Sequence, residues 1–151
     1  MFGLNLSQLK VLKKMKTLKA SGPRIALLVF PLRNPRQECG QMFLTELIDI
    51  LKTLSSEVFV ITGNYLASNV PSNVRIVNVD SPVVETWKET IMSKTFRFLT
   101  AQFTISREVF RVSDKIDVAL LFLSSSLLFL PTFLLCSYRK KILLIVTGSG
   151  S

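Results

Sequence analysis

The residues able to do chemistry in this 151-residue chain are few. Histidine is absent, which removes Ser-His, Cys-His and His-metal chemistries together. Cys39 and Cys136 lack metal-ligand spacing and read as thiols of a reducing compartment, so no metal site is expected. Among the carboxylates, Glu38, Asp80 and Asp117 lie near strand or loop boundaries, Glu46 and Asp49 on a helix, and no spacing pairs any two of them. Two glycine-containing turns remain. Arg33-Asn-Pro-Arg-Gln-Glu-Cys-Gly40 joins an apolar run to a helix. There Gly40 would let a ligand approach the backbone, and Arg33 and Arg36 would hold an anionic group. The plainer alternative is that Gly40 only opens the helix, since one glycine is far weaker than G-x-G-x-x-G. Thr147, Gly148 and Ser149 follow another apolar run, but no lysine or helix comes after them, so a P-loop is unsupported. Taken alone, both turns favour the plainer alternative.

The elements that must position these turns follow from periodicity. Arg24–Phe30 and Val58–Thr62 are short apolar runs, and Gln41–Leu54 places Phe43, Leu47, Ile50, Leu51 and Leu54 on one helical face. Two fully apolar strands around an amphipathic helix make a buried parallel pair with its crossover. A third strand is expected at Arg75–Val79. A long helical stretch at Val84–Val112 carries two apolar stripes. One stripe is Trp87, Ile91, Phe98, Ile105, Val109 and Val112; the other is Met92, Phe96, Leu99, Phe103 and Phe110. Glu89, Lys94, Arg97, Arg107, Glu108 and Arg111 share the opposite arc. One stripe covers a sheet, so the second needs a neighbouring helix, a lipid surface or a further domain. Val118–Tyr138 is 21 residues without charge before Arg139-Lys140-Lys141, a transmembrane candidate by length alone. The triple serine at 124–126 and Pro131 divide it, and strand, serine loop, buried helix, basic turn, strand is the favoured reading.

The fold class is therefore α/β: a Rossmann-like parallel sheet with flanking helices, preceded by a basic amphipathic helix. Apolar residues make up 48% of the chain and mean hydropathy is +0.41, which excludes general disorder. The net charge of +9 is concentrated at one end, because residues 1–37 hold eight Lys/Arg and no acid. Lys10, Lys13, Lys14, Lys16 and Lys19 line a helix whose other face carries Leu4, Val11, Met15 and Leu18. Such a helix suits contact with an anionic membrane surface; a solvated helix docked on the domain is the alternative. It lacks the apolar core of a signal peptide. Residues 1–22 are read as this extension and hinge, and 23–151 as the Rossmann-like domain. No basic patch interleaved with aromatics points to nucleic acid.

Arg24-Ile-Ala-Leu-Leu-Val-Phe-Pro31, the Gly40 turn, Phe43-Leu-Thr-Glu-Leu47 and Val58-Phe-Val-Ile-Thr-Gly-Asn64 resemble the start of a GT-B-type glycosyltransferase. The similarity is to the family 4-like, acceptor-side N-terminal domain. Lys115-Ile-Asp-Val-Ala-Leu-Leu-Phe122 and Lys140-Lys-Ile-Leu-Leu-Ile-Val-Thr-Gly-Ser149 resemble its later strands. The resemblance implies transfer of a sugar from a nucleotide-sugar donor to a lipid-linked or glycan acceptor, with no cofactor. The donor would be a substrate of a second glycosyltransferase domain or subunit, so this chain would be a truncated or split product, inactive alone. It also implies a peripheral position on the cytoplasmic face of a membrane. Only through this resemblance do Gly40, Arg33, Arg36, Thr147, Gly148 and Ser149 become a candidate substrate cleft. Only Gly40 of the family's paired glycines carries over, and the histidine often found near the active site is missing. The alternatives are a non-catalytic, membrane-associated α/β scaffold, or an integral membrane protein spanning at 118–138.

Overall fold

A computed structural model describes residues 22–32, 38–67, 69–80, 90–123 and 128–146. Their order is β1 (Arg24–Val29), α1 (Glu38–Leu54), β2 (Glu57–Thr62), β3 (Val74–Asn78), α2 (Ile91–Val112), a 3₁₀ turn (Ser113–Lys115), β4 (Val118–Leu123), α3 (Phe129–Ser137) and β5 (Lys141–Val146). The five strands form one parallel sheet in the order β3-β2-β1-β4-β5, the Rossmann-like arrangement expected. The chain runs outward from β1 to β3, then restarts on the other side of β1 with β4. The point between β1 and β4 is thus the topological switch.

Central β1 explains why its sequence is a continuous apolar run. Ile25, Ala26, Leu27 and Leu28 are inaccessible to solvent, because helices cover both sheet faces. Alternation divides them. Ile25, Leu27 and Val29 pack with Val58, Val60 and Leu120 against Leu44, Leu47, Ile48 and Leu51 of α1. Ala26 and Leu28 face the opposite side with Phe59, Ile61, Ala119 and Leu121, beneath Ile105 and Val109 of α2 and Leu135 of α3. Ala26 pairs with Ala119 in register, and these small side chains leave room for Ile105 and Val109 to seat fully.

Between β2 and β3 no helix occurs among the described residues; side chains brace that connection instead. Asn64 takes a left-handed backbone conformation (φ 59°) and its amide donates to the Leu32 carbonyl at 2.7 Å. Asn78 receives the Tyr65 N–H at 3.2 Å and donates to the Tyr65 carbonyl at 3.0 Å. Gly63 is required where it stands, because an added Cβ would lie 2.8 Å from Pro31 Cβ and 2.8 Å from the Val79 carbonyl oxygen.

The run Val118–Tyr138 holds the strand and helix of the favoured reading and not the single spanning helix of its alternative. Its first six residues pair with β1 and β5, so their backbone hydrogen bonds belong to the sheet. No helix among the described residues is long and apolar enough to cross a membrane. Other sequence expectations shift. α1 begins at Glu38, so Gly40 sits in its first turn and not in the connecting loop. A glycine costs least there, since first-turn N–H groups have no intrahelical acceptor to lose. Arg97 and Glu108, assigned to a solvent arc, are both buried.

Candidate docking surface

The residues proposed for a cleft are dispersed. Gly40 is half-buried in α1, whereas Arg33, Arg36, Thr147, Gly148 and Ser149 lie outside the described residues. So do Lys10, Lys13, Lys14, Lys16 and Lys19 of the basic extension, and Trp87 of the first stripe. Beside Gly40, Gln41 donates to the Asn64 carbonyl at 2.9 Å and accepts the Leu66 N–H at 3.2 Å. The Thr45 and Tyr65 hydroxyls share a 2.9 Å hydrogen bond. These polar groups bond to one another and brace the β2–β3 connection against α1.

The surface with unmet demands is formed by α2 and α3. Thr90 starts α2, its hydroxyl accepting the Ser93 N–H at 3.2 Å. At the other end the Ser113 hydroxyl donates to the Phe110 carbonyl at 2.9 Å. Along these 22 residues the first stripe works as expected, with Ile105 and Val109 buried and Phe98 and Val112 partly so. Ile91 departs from it, standing exposed in the first turn. Every member of the second stripe, Met92, Phe96, Leu99, Phe103 and Phe110, is exposed, Phe103 to 66%. The helix next to it is α3, and it does not cover the stripe; it extends it.

Three relationships fix the two helices side by side and parallel. Phe98 lies between Phe30 (6.1 Å between centroids) and Phe129 (6.0 Å). The Gln102 side-chain oxygen accepts the Leu130 N–H at 3.2 Å. Phe110 lies 6.2 Å from Tyr138. Gln102 and Ser106 are thereby buried, and the exposed stripe borders α3, whose own Phe129 and Phe133 are exposed, the latter to 70%. The result is one aromatic face across two helices. Monomeric proteins rarely leave such a face bare unless it meets a partner or a membrane.

The segment that bears this face is basic. Between residues 90 and 141 there are eight Lys/Arg and three acids. Glu108 accepts from Arg107 at 3.2 Å and Arg111 at 2.8 Å, so that trio stays net positive. Asp117 is committed to Arg24, taking its backbone N–H at 3.0 Å and its guanidinium at 3.3 Å. At the far end, α3 closes in a Schellman motif: Arg139 N–H donates to the Cys136 carbonyl (2.9 Å) and Lys140 N–H to the Leu135 carbonyl (3.0 Å). The left-handed position of that motif usually holds glycine; here it holds Arg139, at φ 52°. A cavity of about 310 Å³ opens beside it, lined by Pro23, Asp117, Tyr138, Arg139, Lys140 and Lys141 among others.

Sequence reasoning found the second stripe and missed its continuation. α3 is apolar nearly all round, so Phe129 and Phe133 give no stripe to separate from its core-facing Pro131 and Leu135. The available signal was their four-residue spacing, which places them on one helical face.

No protein-family model matches the chain, and no curated protein matches it. Among solved structures it is similar to the C-terminal domain of the coenzyme A biosynthesis bifunctional protein CoaBC, at 17% identity and a TM-score of 0.44. The match covers 83% of this chain and 62% of that one, so the chain spans less than two thirds of that structure's length. The fold rests on the strand order and not on this likeness. The reading as the acceptor-side half of a GT-B glycosyltransferase is corrected: no family model or curated protein supports it, and a solved structure similar to the chain is described as a coenzyme A biosynthesis domain. The physical reason lies in the segments that carried the resemblance. Most of their described residues lie in β1, α1, β2, β4 and β5, and any doubly wound sheet needs such apolar strands and helix faces in that order.

Proposed function

We propose that this protein is a membrane-docking α/β unit whose α2–α3 aromatic face rests on an anionic lipid surface. The observation that carries the proposal is the exposed set Phe96, Leu99, Phe103, Phe110, Phe129 and Phe133 on the paired helices α2 and α3, with the exposed cations Arg107 and Arg111 on α2 and Arg139 and Lys141 just after α3. An in-plane amphipathic surface needs this combination: apolar side chains enter the headgroup boundary while basic ones meet anionic lipids. Each basic residue near an anionic leaflet contributes about 1 kcal/mol. A second copy of this chain is the competing occupant, but it would bring a like-charged surface against this one, with Glu108 already engaged by two arginines. The basic pattern of residues 1–20 would add to the same attraction.

Co-sedimentation with vesicles tests the reading. Wild-type protein is expected to pellet with phosphatidylcholine vesicles containing phosphatidic acid, and Phe103→Asp and Phe133→Asp to remain in the supernatant while staying folded by circular dichroism. Wild-type protein left in the supernatant sinks the proposal. So does a dimer in sedimentation equilibrium that the same substitutions dissociate, since the second copy would then be the occupant.

A further inference from the structure

The cavity at the end of α3 adds a specific contact to that surface. Its wall includes Tyr138, whose ring also closes the aromatic face against Phe110 at 6.2 Å, so cavity and face are continuous. Most charged groups around it already have tasks. Lys140 Nζ donates to the Ile116 carbonyl at 3.0 Å, and the Arg24 guanidinium and Asp117 bind each other at 3.3 Å. Arg139 and Lys141 do not: among the described residues no carboxylate pairs with either, and both are exposed. The carboxyl-terminal end of α3 carries a partial negative charge, which one nearby cation would offset. Lys140 stands there already, leaving two cations in excess.

Arg139 also holds a backbone position that disfavours it. A left-handed φ of 52° is open to glycine at no steric penalty and costs an arginine. Strained backbone of this kind clusters at ligand-binding and switch positions.

We infer that this cavity receives the phosphate of an anionic phospholipid headgroup, with Arg139 and Lys141 as its cationic contacts and the Tyr138 hydroxyl as a further donor. This rests on the membrane-docking reading and refines it. The aromatic face supplies adhesion; the cavity supplies selection among lipids. Arginine suits the task because its planar guanidinium meets two phosphate oxygens at once.

The experiment separates the two claims. Arg139→Gly and Lys141→Gln, singly and together, are assayed against vesicles of phosphatidylcholine alone and vesicles that include phosphatidic acid. The double variant is expected to bind the phosphatidic acid vesicles roughly thirtyfold more weakly, about fivefold per charge, while binding to phosphatidylcholine alone is unchanged. Arg139→Gly should at the same time raise the thermal midpoint by about 2–4 °C, because it relieves the left-handed strain. That rise shows that lost binding is not lost folding. Wild-type affinity of the double variant for phosphatidic acid vesicles overturns the headgroup site and leaves aromatic docking standing, whereas Phe103→Asp tests the docking itself. Equal weakening on both vesicle types overturns the site as well, and so does an equal loss on phosphatidic acid vesicles for the paired Arg107→Gln and Arg111→Gln variant, since surface charge alone would then account for it. Full displacement by soluble glycerol phosphate would also overturn it, since the ligand would then be a free phosphate ester.

Discussion

Gln102 of α2 caps the first turn of α3: its side-chain oxygen accepts the Leu130 N–H at 3.2 Å, and the residue is 1% exposed. Leu128, at the N-cap position of α3, offers no capping side chain, so the neighbouring helix supplies the acceptor. One hydrogen bond thus joins α3's stability to α2's position. Replacing Gln102 by Leu should destabilise the fold by about 1–2 kcal/mol, the cost of a lost cap. A urea melt measures it, and an unchanged midpoint would show that α3 needs no acceptor from α2.

Gly63 makes a sharper steric claim. Alanine there would press its methyl against Pro31 and the Val79 carbonyl, and disturb the Leu32 N–H bond to the Gly63 carbonyl at 3.0 Å. The expected loss is roughly 1–3 kcal/mol, as for overpacking in a closed core. Pro31 sits just past β1, so the damage should reach the central strand and appear as faster amide exchange at Val29 and Phe30. Exchange confined to residues near 63 would contradict this.

Thr62 predicts the opposite sign. Its side chain is fully buried at the end of β2, and Oγ1 has no hydrogen-bond partner among the described residues. Thr62→Val keeps the shape and removes an unsatisfied hydroxyl, which should stabilise by about 1 kcal/mol. A less stable variant would reveal a hydrogen bond to that hydroxyl and refute the assignment.

Salt separates the two components of vesicle binding. Raising ionic strength from 0.15 M to 1 M shortens the Debye length from about 8 Å to about 3 Å. The contributions of Arg107, Arg111, Arg139 and Lys141 should fade while burial of Phe103 and Phe133 persists. Binding to anionic vesicles should therefore fall to the level seen on neutral ones and no further. Complete release from both by salt would mean that the aromatic face contributes nothing.

Much of the fold was legible because a parallel sheet covered on both faces demands continuous apolar strands. β1, β2 and β5 could be read from their runs within a residue or two. The helical wheel of α2 was legible too, down to the stripe left without cover. What a wheel cannot show is the neighbour on the polar side. Arg97, set among solvent-facing charges, is buried with its guanidinium 6.0 Å from the Phe30 ring centroid. Glu108 disappears beneath two arginines. α3 could be read as a helix, but its exposed aromatic face could not, because periodicity needs contrast and its nine residues contain no charge. The same lack of contrast undid the resemblance to glycosyltransferases. Apolar strands in alternation with helices record a sheet's architecture, and the chemistry built upon it leaves no trace in them.

The pairing of β1 with β4 also bears on how the chain is made. Arg24 and Asp117 are 93 residues apart, yet they bridge the first strand of the sheet to its fourth. During synthesis β1 can engage β2 early, but its other edge must wait until residues 118–123 have left the ribosome. Closing so large a loop is slow. The nascent chain therefore carries an open, fully apolar strand edge from the emergence of β1 until that of β4, the kind of surface chaperones bind. A ribosome-stalled chain ending near residue 110 should recruit them, and one extended well beyond β5 should release them.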